Sequence, residues 1–440
     1  MSEKRQRQQQ RRARRQAVGR TRRSSGSGRV RAGTPGAVDF ELAGMLAGLA
    51  EIVVGDAHEP NDALEAEHWA SCLLGALNVG RIIDAEIRQR FRADLVPAVE
   101  ELASSEALAT LRALSGVGVS SERERARAAA DRLAACGVRE PAWASGIGVG
   151  RPVSAALQYD QAFDDGVSVI VEFDGYGKEP HTLGIYIDHN MDGLVKDVFL
   201  AGPLIDVRAK LNVRAPNGVE LAVRELELAE ARARIVAAFD VLDETYDPPV
   251  DEDVSRLRAL VEARIDLLPA GLQHDAVYQD IPQADRERML EEFLDSTPGK
   301  QWAGDEHAED VVATAIDFGA DYNHGGPLRW SPVVVEIFMT NWVARKVVRE
   351  PAFFERLPDV LVDWVAYAGA LRHVPPAGLN EAIEAVAAHR HEMLEAVSDP
   401  DRWGPAKAFA LAARSAGVDP SDPAALDEFV EQYNAQLQAD

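Results

Sequence analysis

Residues 167–200 read VSVIVEFDGYGKEPHTLGIYIDHNMDGLVKDVFL, and this stretch decides the fold class. Val167, Val169, Val171 and Phe173 alternate with mostly polar neighbours. Leu183, Ile185 and Ile187 repeat the alternation after Gly175-Tyr176-Gly177, and a third run, Leu194 to Leu200, follows Asp192-Gly193. A period of two puts the apolar side chains on one face of a strand, and the two glycine-bearing breaks are turn signals. The expectation is a three-stranded antiparallel β-meander around 160–200, with its apolar face covered by helices.

Outward from this stretch the period becomes helical. On the N-terminal side Ile83, Ile87, Phe91 and Leu95 recur every four residues. Ser120-Ser121-Glu122 opens an Ala-rich helix that ends near Gly137. Gly146-Ile147-Gly148-Val149-Gly150 reads as a linker into the β segment. On the C-terminal side Leu221, Leu228, Ile235 and Leu242 lie on one stripe, which predicts a long helix over 218–243. Tyr246-Asp247-Pro248-Pro249 breaks it, and a second helix follows over 251–267. Further helices fit 284–295, 305–319, 330–348, 352–372, 378–397, 404–416 and 422–437, the last opened by Asp422 as cap and Pro423 in the first turn. The expected class is mainly α (α+β). It divides into an N-terminal helical region over 37–150, a β-meander insert over 151–205 and a helical hairpin over 206–268. A linker region over 269–304 and a C-terminal helical domain over 305–440 complete the chain.

Charge is distributed unevenly. Residues 1–36 hold twelve of the 47 Lys and Arg but one of the 72 Asp and Glu, so this arm carries +11 and the remaining chain −36. With almost no large apolar residue, the arm cannot offset the entropy of ordering and is expected to be disordered. A body this acidic repels polyanions, so contact with nucleic acid would fall to a local patch or to the arm. Arg11, Arg12, Arg14, Arg15, Arg20, Arg22 and Arg23 are its candidate phosphate contacts. Arg345, Lys346 and Arg349, beside Trp342, form the compact basic group of the body and are its candidate phosphate or nucleic-acid contact. The same residues fit the last turn of a helix that Ser331 caps and Pro332 starts.

The chain contains two cysteines, Cys72 and Cys136, far apart, which excludes a disulfide framework and favours a reducing compartment; a cytoplasmic location is expected. Arg22-Arg23 is followed by Ser and Gly rather than by apolar residues, unlike a paired-arginine export signal. No run approaches the roughly 18 apolar residues of a membrane span.

Three short patterns bear on chemistry. Asp188, Asn190, Asp192 and Gly193, spaced D-x-N-x-D-G, resemble the first half of an EF-hand calcium loop, which implies oxygen ligands at alternate positions. The twelfth position, where a bidentate Glu belongs, is Phe199, and the flanks alternate as strands; a hairpin turn reads the same residues without a metal. On a helix over 305–319 and just beyond, His307, Asp310, Thr314, Asp317 and Asp321 share one stripe, with His324 past the end. This set is suited either to a divalent metal or to a solvated face. His274-Asp275 is similar to the dyad of helical HD-domain phosphohydrolases, without the upstream His of that family. Phosphate loops, dinucleotide fingerprints and nucleophile elbows are absent from the sequence.

The sequence therefore leans toward a non-enzymatic binding or adaptor protein whose arm contacts nucleic acid or a ribonucleoprotein surface non-specifically. A metal-dependent hydrolase built on the 305–324 stripe is the enzymatic alternative. A helical scaffold with the arm folded on its own acidic body is the third reading.

Overall fold

The computed structural model describes residues 50–51, 54, 60–76, 94–177, 179–211, 219–246, 248–272, 281–418 and 423–439. The basic arm, the repeat from Ile83 to Phe91, His274-Asp275 and Asp422 lie outside the described residues. The chain is mainly helical with one five-stranded antiparallel sheet, an α+β fold.

Helices α1 (Ala63–Ala76), α2 (Ser105–Leu114) and α3 (Ser120–Ala135) precede the sheet. The sheet comprises β1 (Arg151–Asp160), β2 (Gly166–Asp174), β3 (His181–Asp188), β4 (Leu194–Ala201) and β5 (Leu221–Leu226), in the order β4-β3-β2-β1-β5. The expected strands are β2, β3 and β4, in the expected order. Two more extend the meander. β1 carries Ala155, Ala156 and Leu157 into the sheet interior but is too rich in Ala, Ser and Gln to show period two, and its register shifts between Pro152 and Ser154. β5 overturns the expected start of the long helix. It pairs along β1 from Ala155–Leu226 to Asp160–Leu221, and the helix begins after it. Leu221 shares the spacing of Leu228, Ile235 and Leu242, yet lies 36% exposed at the end of an edge strand.

Helix α4 (Leu204–Leu211) sets Leu204 and Val207 against Ile170 on one sheet face. On the other face, α5 (Leu228–Glu244) and α6 (Glu252–Ile265) cover Val167, Val169, Val171, Leu183, Ile185 and Val198, and α1–α3 complete this first core. The segment 206–268 thus holds a strand between its helices and is not a simple helical hairpin.

A second core is built mainly by helices. It comprises α7 (Gln283–Asp295), α8 (Glu306–Asp321), α9 (Pro332–Glu336, continued by a π-helical turn Ile337–Val343 and Ala344–Lys346), α10 (Pro351–Leu371) and α11 (Pro376–Ser398). Helices α12 (Pro405–Ser415) and α13 (Pro423–Ala439) follow. Phe293 of α7 is fully buried beside Trp364 and Tyr367, so the C-terminal part of the 269–304 region belongs to this core. Ala162 and Phe163, from the β1–β2 loop, are seated in the second core with Val219, which brings the sheet's loops against the helices. Among the described residues, no helix is long and apolar enough to cross a membrane.

Candidate metal centre

Three loops meet where the sheet abuts the second core. The first joins β1 to β2 and is shaped by one carboxylate. Asp160 accepts the backbone N–H groups of Ala162 (3.0 Å), Phe163, Asp164 (3.0 Å) and Asp165 (3.2 Å). Four donors on one side chain hold the loop tightly enough to keep Asp164 at φ +54°, a left-handed conformation that Asp adopts more readily than most residues.

The second loop is the β3–β4 connection, residues 188–193. Asp188 accepts from the Asn190 N–H at 2.8 Å and from Lys196 Nζ at 2.7 Å. Asp192 and Gly193 are left-handed at φ +62° and +78°, as a tight hairpin requires. The third follows α8. Asn323 donates from Nδ2 to the carbonyls of Gly326 (3.2 Å) and Arg329 (2.8 Å). Gly325 and Gly326 take φ of +86° and +84°, and a Cβ on Gly325 would lie 2.9 Å from Arg329 Cδ.

Arg329 binds the three together. Its side chain is fully buried, and its guanidinium donates to the carbonyls of His324, Phe163 (3.3 Å) and Asp164 (3.3 Å). It also donates to Asp165 Oδ1 (2.8 Å), Asn190 Oδ1 (2.6 Å) and Asn323 Oδ1 (2.6 Å). Asp165 Oδ1 also receives Ser331 Oγ at 2.7 Å and Asn190 Nδ2 at 3.0 Å. The expected helix start is present: Ser331 Oγ accepts from Val334 N at 3.1 Å, and Pro332 opens α9. Burial pushes the Asp165 carboxyl up, against the pull of Ser331 and Arg329, and pushes the Arg329 guanidinium down despite Asp165 and Asp164.

Around this knot, Asp164, His189 and His324 come together. One ligand atom from each lies within 4.8 Å of the others; among the described residues this is the one group of three or more His, Cys, Asp or Glu so placed. The His189 and His324 rings are 4.1 Å apart between centroids, tilted by 30°. His189 Nδ1 sits 3.0 Å from the Asp164 carbonyl and 3.2 Å from its Oδ1. His189 is 11% exposed and Asp164 36%, so one flank of the group is wet. Burial raises the Asp164 carboxyl, but its hydrogen bond with His189 and the charges of His189, His324 and Arg329 outweigh that, leaving it below the usual carboxylate range. Burial and the carboxylates of Asp188, Asp165 and Asp160 push the nearby Tyr186 phenol up to about 12.

Two imidazoles and a carboxylate are the mixed donor set of zinc, manganese, iron and cobalt sites. Bond lengths near 2.1 Å require the side chains to draw in by a fraction of their present spacing.

The residues singled out in the sequence fall differently. Asp188 and Asn190 line the β3–β4 turn, but Asp188 faces Lys196 while the Asn190 side chain serves Asp165 and Arg329. On α8, Asp310 lies 3.4 Å from Arg349, while Asp317 (2.7 Å) and Asp321 (2.8 Å) both engage Arg286; His307 is exposed. Thr314 turns inward and donates to the Asp310 carbonyl. Lys346 Nζ rests 4.1 Å from the Tyr322 ring centroid, and the Arg345 carbonyl accepts from Gly404 N. His324 is the stripe residue that the fold brings to the new group, and His189 comes from the turn. Asp164, Asp165 and the anchoring role of Arg329 were not visible in the sequence, because Arg329 lies 165 and 164 positions from the two aspartates and their partners His189 and Asn190 stand on a different loop.

No protein-family model, curated protein or solved structure matches the chain.

Proposed function

We propose that the folded body binds a divalent transition metal on Asp164, His189 and His324 and uses it as a Lewis acid in hydrolysis. The observation that supports this reading is the convergence of the three side chains on one partly wet point, held from behind by buried Arg329. Three protein ligands leave a coordination position for water, the arrangement of catalytic rather than closed structural sites. A bound ion there would lower the pKa of that water and polarise an acyl or phosphoryl oxygen beside it. The acidity of the body favours small or weakly charged substrates over polyanions.

The test is metal content by mass spectrometry after dialysis against Mn²⁺ or Zn²⁺, with melting curves and hydrolysis of chromogenic phosphoesters and carboxylic esters. One equivalent of metal, a raised Tm, and loss of both in His189→Ala and His324→Ala are expected. A wild-type protein that retains no metal and shows no melting shift sinks the reading.

A second reading rests on the charge contrast between arm and body, +11 over residues 1–36 against −36 beyond. In it the arm tethers the protein to nucleic acid or a ribonucleoprotein surface without sequence preference. Binding to duplex DNA should then weaken with a log–log salt slope of about −0.9 per phosphate engaged. Equal binding by the full chain and a chain lacking residues 1–36 would exclude it.

A further inference from the structure

We propose that the ion at Asp164, His189 and His324 is a clasp that locks the sheet against the C-terminal helices; this deepens, and rests on, the metal reading above. Two of the ligands stand on loops of the sheet, whose buried face belongs to the first core. His324 follows α8, whose apolar face, Val311, Val312, Ala315 and Phe318, belongs to the second.

Among the described residues, the contacts that cross this joint near the site gather on the β1–β2 loop, on Arg329, which also reaches Asn190, and on Ser331, which donates to Asp165. Phe163 is seated in the second core, where a Cβ on Gly378 would lie 3.3 Å from its Cζ. Arg372 Nε donates to the Ala162 carbonyl at 3.4 Å. Arg329 bonds the carbonyls of Phe163 and Asp164 on one side and of His324 on the other. Opening such a joint withdraws Ala162, Phe163 and Val219 from the second core, while the remaining residues of each core keep their own buried contacts.

The clasp follows from where the ligands are. An ion that needs all three exists at full affinity only when the joint is closed, so binding and closure strengthen each other by the same factor. With free metal at 100 times its Kd, opening is suppressed by about 100-fold. Arg329 is the positioning residue in this scheme. It touches the backbone of both Asp164 and His324, and the side chain of Asn190 next to His189, but offers the metal no lone pair.

The experiment is hydrogen exchange on the full chain in chelator and in Zn²⁺ or Mn²⁺, with metal stoichiometry measured on the same samples. Expected is slower exchange in segments 160–166 and 322–331 together, approaching 100-fold at saturating metal, with α10 unchanged. His324→Asn should abolish the gain in both segments, including the one that it does not belong to. Where that substitution loosens the chelated protein by itself, the wild-type comparison with and without metal decides. Stoichiometric metal that protects 160–166 alone, or neither segment, overturns the clasp and leaves the metal site standing. A wild-type protein that takes up no metal overturns both.

Discussion

Replacing Arg329 with methionine keeps an unbranched apolar stem but withdraws every donor that the guanidinium supplies. Left behind are the Asp165 carboxylate, the side-chain oxygens of Asn190 and Asn323, and the carbonyls of Phe163, Asp164 and His324. Each buried acceptor without a donor costs about 1–3 kcal/mol, but these share one relaxing site and do not add. Asp165 keeps Ser331 and Asn190 as donors and is 24% exposed, so water recovers part of the loss. Breaking a buried ion pair from one side typically costs about 3–5 kcal/mol, and partial exposure places this one near the lower end, about 3 kcal/mol. The double substitution Arg329→Met with Asp165→Asn should recover part of that, with a coupling on the order of 1–3 kcal/mol. The assay is urea unfolding followed by tryptophan emission and far-UV circular dichroism. Trp302, Trp330, Trp342, Trp364 and Trp403, five of the seven tryptophans, lie beyond residue 300, so emission reports chiefly on the C-terminal half. The same variant should bind Zn²⁺ or Mn²⁺ about 10–100-fold more weakly, the usual effect of losing a group that orients metal ligands. A loss below about 1 kcal/mol with unchanged metal affinity would refute the reasoning, since it would mean that water replaces the guanidinium without consequence.

His181, 2% exposed and stacked on Phe173 at 5.6 Å, has its pKa lowered to about 3 from 6.5, by burial first and by the Arg264 charge second. Unfolding lets it take up a proton below pH 6.5 that the folded state refuses until about pH 3, so its contribution to stability is lost as pH falls through that window. Relative to His181→Phe, the wild type should therefore lose up to about 1.4 kcal/mol per pH unit between pH 6 and 4, read from urea midpoints; parallel pH profiles would contradict this. Gly150→Ala should cost about 1–3 kcal/mol or more in thermal unfolding, because its Cβ would fall on the Tyr176 ring, which is pinned under Arg264 at 3.6 Å. Ser331→Ala removes both the N-cap of α9 and a donor to Asp165, an expected loss of about 1–2 kcal/mol that Ser331→Thr should largely restore.

The helices were legible because their signals are local. Segments 251–267, 284–295, 352–372 and 378–397 match α6, α7, α10 and α11 to within two residues at each end, since caps, prolines and a 3.6 period all lie within the elements themselves. Strands β2–β4 were equally plain. What failed was β5, whose Leu221 happens to continue the heptad spacing of α5, and β1, whose interior residues are Ala155 and Ala156 rather than β-branched. Pairing with β1, not intrinsic preference, makes residues 221–226 a strand. The site was less legible still. His324 stood just past the acidic stripe and His189 inside the D-x-N-x-D-G turn without being singled out, and the fold resolves both patterns otherwise: Asp188 and Asn190 form a hydrogen-bonded turn, while Asp317 and Asp321 hold Arg286. Arg329 gives no periodic signal, because a buried arginine is defined by acceptors brought to it from distant loops.

The division of labour between two adjacent carboxylates explains why the site can take a cation at all. Asp164 and Asp165 follow one another, yet the Asp160 carboxylate gathers four N–H groups and turns their side chains to different partners. Asp165 spends its Oδ1 on Arg329, Ser331 and Asn190, which neutralises the one buried guanidinium of the joint. Asp164 meets that guanidinium through its backbone carbonyl, so its carboxylate remains turned to His189 and held ionised. With Arg329 matched to Asp165, Asp164 is the carboxylate left facing the two imidazoles, a donor set that a divalent ion satisfies. Had Arg329 engaged both carboxylates, the net charge would be the same, but the Asp164 lone pairs would be spent on N–H donors instead of being turned to the two imidazoles. Asp165→Asn tests this allocation. Freed from its partner, Arg329 should compete for Asp164, and metal affinity should fall although no ligand has been removed.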